Sequence, residues 1–157
     1  MWAERLPGER GSALLLMPAG VLIVLVLGAL AVDSAILFLG ERELADLSAA
    51  AANDAATIAI YEAAFYECGR LELAEDHARE VAGAVAQARA SDAVSLTGVD
   101  VDVRNDLNPP QVTVAASGTV QLIFTPALPG MSRTRTVGAR SVAVPQPLGG
   151  DVAGATC

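Results

Sequence analysis

The sequence predicts an α+β protein carried on one long apolar helix, and three observations predict it. Residues 11–32 form an uncharged stretch of 22 residues. An alanine-rich stretch follows, in which apolar residues recur at steps of three and four. From residue 99 onward the spacing becomes alternating, as in half-buried strands. Helices followed by a run of strands are typical of α+β proteins.

The apolar stretch predicts a transmembrane helix over residues 11–39. A helix of 22 uncharged residues extends roughly 33 Å, enough to cross a hydrocarbon core of roughly 30 Å. The run is longer than the apolar core of a signal peptide, which favours an anchor over a cleaved leader. Pro18 lies near the start of the run, where it either opens the regular helix or kinks it.

The flanking charges predict the orientation of this helix. Arg5 and Arg10 stand before it, in a short tail of residues 1–10, and are the topology determinants. Mainly acidic residues follow it. We therefore expect the N-terminus in the cytoplasm and a larger extracytoplasmic part beyond a cell (inner) membrane.

The alanine-rich stretch predicts that the helix continues beyond the membrane, over residues 40–68. Its small residues form a smooth face on which another helix could pack closely, although alanine is also simply a good helix former. We expect partner-helix packing on this face and at Asp33, the one charge in the apolar stretch, which could equally mark the membrane exit. The expected contact residues are Asp33, Ala49, Ala52, Asp54, Ala55, Ala56 and Ala59.

The remainder predicts a small α+β head over residues 69–147 and a flexible tail over 148–157. A second, shorter helix is expected over residues 73–90, with His77 and Val81 on its inner face. Three or four antiparallel strands should follow: near residues 99–103, over 111–124 as one strand or a hairpin broken at 117–118, and over 134–144.

Charge and cysteine content limit the partners of this head. Residues beyond Gly40 carry 15 acidic residues and 8 arginines, a net charge of −7, which argues against nucleic acid and against anionic lipid headgroups as partners. Cys68 and Cys157 could form a disulfide in an oxidising compartment or remain two thiols.

The candidate chemical groups are few, so we expect no enzymatic activity, no cofactor and no metal. His77 is the only histidine, which leaves no second imidazole for a zinc site or a triad. Asp100 and Asp102 lack the rest of a calcium-loop pattern, and in a strand both fall on one solvent face.

The order of several short motifs resembles the TadE/TadG-like proteins of tight-adherence (Flp-type) pilus systems of bacteria. The matching residues are Arg10-Gly11-Ser12 before the helix, Asp33 near its exit, Arg42, and Asp54-Ala55-Ala56 in the alanine-rich helix. Residues 135–147 are similar to the last strand of actinobacterial members. The prepilin cleavage pattern departs at Leu16, where that class has glutamate.

The resemblance implies a membrane-anchored minor pilin-like or assembly subunit of a Tad pilus or a related secretion system. It would act by helix packing, with other pilin-like subunits and inner-membrane platform proteins as partners. The alternative is a membrane-tethered extracytoplasmic binding module of the cell envelope.

Overall fold

A computed structural model describes residues 10–61, 71–127 and 130–145 of the chain. These residues form two α-helices, a short 3-10 helix and one three-stranded sheet. In chain order these are α1 (Arg10–Ile58), α2 (Glu75–Arg89), β1 (Ser95–Arg104), β2 (Gln111–Gln121), the 3-10 helix (Thr125–Ala127) and β3 (Thr134–Ala143). The α+β class predicted from the sequence is confirmed.

Helix α1 is a single helix of 49 residues, roughly 73 Å long, with Pro18 inside it. It ends at Ile58, so the continuous helix predicted over residues 40–68 is interrupted there, and residues 62–68 of that prediction lie outside the described residues. Beyond it Ile60 forms a β-bridge with Leu73, and the amide N–H of Tyr61 donates to the carbonyl oxygen of Glu72. The β-branched residues around this point favour an extended chain over another helical turn.

Helix α2 agrees with the prediction for residues 73–90 to within two residues at each end. Its buried face differs from the predicted one, because the buried residues are Ala78, Ala82 and Ala86. His77 is exposed instead, with its side chain near Glu80. Small alanines allow α2 to lie close against α1, and the larger valines beside them are only partly buried.

The sheet is antiparallel in the order β1-β2-β3, so each strand pairs with its neighbour in sequence. Strand β2 is continuous through Ser117 and Gly118, which excludes a hairpin break there. Its burial alternates along its length, with its apolar side chains packed inward. Asp100 and Asp102 of β1 are exposed on the opposite face, as predicted.

The core lies between the second half of α1, α2 and the inner face of the sheet. One cluster joins Ala51, Ala52, Ala55 and Ala56 of α1 to Val112 and Val114 of β2. A second cluster joins Leu44 of α1 to Val120, nearer the apolar half of the helix. Strand β2 therefore runs toward the apolar half, and the connection between β2 and β3 lies at that end of the head.

Candidate functional site: the junction between the apolar helix and the head

Residues 16–32 of α1 are apolar and exposed around the helix, apart from the half-buried Ala29. The large side chains between Leu16 and Val32 that are exposed include Val24 at 69% and Leu25 at 67%. The helix is long and apolar enough to cross a membrane, and it is the one candidate span among the described residues. Contact between so large an apolar surface and water would be strongly unfavourable, so lipid or protein must cover this part of α1.

Asp33 directly follows the uncharged residues 11–32, and its side chain is buried against the head. Only 6% of the residue is exposed. Its Oδ1 atom accepts hydrogen bonds from the backbone N–H groups of Ile123, at 3.0 Å, and Phe124, at 3.1 Å. Its Oδ2 atom accepts from the N–H of Thr125, at 2.6 Å, and from the Thr125 hydroxyl group.

The local sequence explains why these donors need Asp33. Strand β2 ends at Gln121, and after it the amide of Leu122 still pairs with the carbonyl of Arg133. The next three N–H groups, up to the first residue of the 3-10 helix, lie beyond the strand and have no partner in the sheet. One carboxylate satisfies all three and the threonine hydroxyl.

This arrangement suits an ionised carboxylate, because every partner is a donor and each oxygen accepts two bonds. The bonds join residues about 90 positions apart. They fix the connection between β2 and β3 at the end of the apolar stretch. We name Asp33 with Ile123, Phe124 and Thr125 the Asp33 clamp.

Close packing between α1 and the head continues at Gly40, seven residues after Asp33 along α1. A Cβ atom at Gly40 would lie only 2.6 Å from Cγ2 of Val120 and 3.5 Å from Cγ2 of Val94. The absence of a side chain at Gly40 thus lets β2 lie directly on α1. About two turns further along α1, the Ser48 and Ser141 hydroxyl oxygens are 2.9 Å apart, which joins α1 to β3.

The alanine face of α1 is covered by the chain's own head. Ala52, Ala55, Ala56 and Ala59 are all 2% exposed or less. Ala49 and Asp54 are half-buried beside them. The small side chains are thus explained by intramolecular packing against α2 and the sheet, and this conformation leaves the four buried alanines no surface for a partner helix.

Other predicted site residues do not converge on a chemical site. Among the described residues there is no group of three or more His, Cys, Asp or Glu side chains that could hold a metal ion. An open groove between α1 and the end of α2 contains Arg42, Asp46 and Arg89, a mixture of both charges. Arg10 is the first residue of α1. Arg5, Cys68 and Cys157 lie outside the described residues, so their predicted roles stay predictions.

Sequence reasoning found Asp33 but not its partners. The prediction placed it against another protein's helix or at the membrane exit, and the structure joins it to Thr125 of the same chain. Thr125, directly after the predicted strand and before the turn residue Pro126, was the available signal, because its N–H and hydroxyl group are donors without a strand partner. The pairing itself depends on a contact across 92 residues, which no local pattern specifies.

Comparisons with protein-family models, with curated proteins and with solved structures found no match to this chain. The functional argument therefore depends on the geometry of the junction and on the residues themselves.

Proposed function

We propose that the chain is a membrane-anchored, pilin-like assembly subunit of a bacterial Tad (Flp-type) pilus or a related secretion system. The observation that carries the proposal is the continuity of α1. One uninterrupted helix is exposed and apolar over residues 16–32 and contributes to the core of the head in its second half.

This continuity supports a mechanical role. The head is joined to the apolar segment without a linker, by the helix itself, by the Asp33 clamp and by the contact at Gly40. A rigid connection transmits position and orientation from the membrane to the head, as a subunit within an assembly requires. A tethered binding module would more often be separated from its anchor by a flexible segment.

The same geometry changes the expected contact surface. Because the alanine face is occupied within the chain, we assign partner packing to the exposed apolar half of α1, around Val24 and Leu25. In a membrane or a filament, such helices associate through close packing of apolar surfaces. No catalytic step is part of this proposal.

A photo-crosslinking amino acid at Val24 tests the proposal in native membranes. The matched position is Val142, which is 56% exposed on the outer face of β3. We expect crosslinks from Val24 to other single-helix pilin-like subunits or to the assembly platform, identified by mass spectrometry. Crosslinks to protein from Val142 with none from Val24 would overturn the proposal in favour of a tethered binding module.

A further inference from the structure

The part of the head that faces the membrane exposes apolar side chains that no described residue covers. Ile123 is 65% exposed, Phe124 is 44% exposed, and Met131 on the same connection is 58% exposed. The Asp33 clamp holds the backbone of the first two. The clamp therefore fixes the backbone that carries the exposed side chains of Ile123 and Phe124.

The position of these residues along the axis of α1 follows from the contacts of their backbone with α1. The clamp sets the backbone of Ile123 and Phe124 level with Asp33, directly at the end of the uncharged stretch. The exposed apolar surface of α1 continues past that level to Phe38 and Leu39, each 63% exposed. Six residues correspond to roughly 9 Å along a helix. If α1 spans a bilayer, Ile123 and Phe124 lie at or below its surface.

The charges near this connection have the sign that a phospholipid surface attracts. Although the chain as a whole is acidic, no Asp or Glu occurs between Asp106 and Asp151. Arg133 and Arg135 are exposed at the start of β3. Arg135 pairs with Val120, which contacts the Gly40 level of α1, roughly 10 Å beyond Asp33.

Apolar side chains at the depth of Asp33 with arginines up to about 10 Å further out match the layering of a bilayer surface. Apolar groups enter the acyl boundary by about 5–10 Å, and guanidinium groups bind phosphates of the headgroup layer. The other turn at this end of the head, residues 90–94, is polar at Ser91 and Asp92 and offers no comparable apolar group.

We propose that residues 122–127 and 130–133, the described parts of the connection between β2 and β3, form a second membrane contact: Ile123, Phe124 and Met131 insert into the lipid interface while Arg133 and Arg135 bind lipid phosphates. The inference rests on the proposed membrane anchoring. It assigns the Asp33 clamp the task of holding this connection in the interface. The head would then be fixed in height and tilt by two attachments, the helix and the connection.

Single-tryptophan reporters in vesicles test the inference. Trp2→Phe removes the native tryptophan from the full chain, and each variant then carries one new tryptophan. The variants are placed in vesicles of phosphatidylcholine and phosphatidylglycerol that contain brominated lipid. Reporters at Phe124→Trp and Ile123→Trp measure the connection, so that the result does not depend on the folding of one variant. Val24→Trp measures the span, and Val142→Trp measures the far end of the head, since its neighbour Ser141 contacts Ser48.

We expect bromine quenching and blue-shifted emission at Val24→Trp and at both connection reporters, with neither at Val142→Trp. Quenching at Val24→Trp without quenching at either connection reporter would overturn the inference and leave the membrane anchoring intact. Absence of quenching at Val24→Trp as well would overturn both. Replacing Arg133 and Arg135 by Gln should reduce the connection's quenching in vesicles with phosphatidylglycerol, and an unchanged signal would remove the arginines from the proposed contact.

Discussion

The carboxylate of Asp33 accepts hydrogen bonds from both the backbone N–H and the hydroxyl group of Thr125. Two further N–H groups complete its partners. An acidic residue at the end of an apolar helix is thus bound within its own chain. Its structural task is to join the head to the apolar segment at a fixed level.

Replacing Asp33 by Ala should release the connection between β2 and β3 without unfolding the core. The three N–H groups lose their acceptor, and no strand partner replaces it. Hydrogen exchange measured by mass spectrometry should therefore become faster over residues 122–127 while the β2 core stays protected. Ser34→Ala is the matched control, because its hydroxyl donates only to the carbonyl of Leu30 on the exposed helix surface. Equal exchange in both variants would contradict the clamp.

The sequence predicted those parts of the fold that depend on local patterns. The uncharged stretch, the α2 boundaries and the alternation in β1 were all visible within short windows. The end of α1 was not, because Ile58 is followed by a pairing between Ile60 and Leu73 that depends on a distant segment. Tertiary contacts override helix propensity at such points.

The candidate site shows the same division. Asp33 is conspicuous as a lone charge, and alanines at helical spacing are conspicuous as a smooth face. Which surface meets either feature is a question of tertiary structure. Small residues indicate close approach of another element, and here that element belongs to the same chain.

Ala52→Glu should unfold the head, whereas Ala45→Glu should not. Ala52 is fully buried against the core, and a carboxylate introduced there has no partner. An uncompensated buried charge destabilises a protein by several kcal/mol. Ala45 is exposed on the same helix, so it controls for an added negative charge. Limited proteolysis in detergent should degrade only the Ala52 variant. If the Ala52 variant keeps a protease-resistant head and loses only its association with other subunits, the alanine face is intermolecular.

Alanine substitutions at two helical glycines should have opposite effects. At Gly40 a methyl group would meet Val120, and this overpacking costs about 1–3 kcal/mol, more than the roughly 1 kcal/mol that alanine gains in helix propensity. At Gly83 in α2 nothing lies within 4 Å of the added Cβ. Gly83→Ala should raise the free energy of unfolding by about 0.5–1 kcal/mol. Denaturant unfolding followed by circular dichroism compares the two, and a stabilising Gly40→Ala would show that β2 does not lie on α1 as described.

Asn105 joins the end of β1 to the segment that precedes α2. Its Nδ2 atom donates to the carbonyl oxygen of Leu73, and its Oδ1 atom accepts from the Leu73 N–H, each at 3.0 Å. Leu73 is itself buried in the core and bridged to Ile60. Removing both bonds with Asn105→Ala should lower the free energy of unfolding by about 1–2 kcal/mol.

Asn105→Asp distinguishes this bidentate contact from a general effect of the side chain. It keeps the acceptor for the Leu73 N–H but places a second oxygen against the Leu73 carbonyl, so it should destabilise the head although it is nearly isosteric. Asp106→Asn is the control, since it makes the reverse change at the adjacent exposed residue. Denaturant unfolding and hydrogen exchange at the Leu73 amide measure the effect. Equal stability of Asn105→Asp and the unchanged protein would mean that the amide nitrogen makes no bond to Leu73. The segment before α2 would then be held at Leu73 by its bridge to Ile60 and not by Asn105.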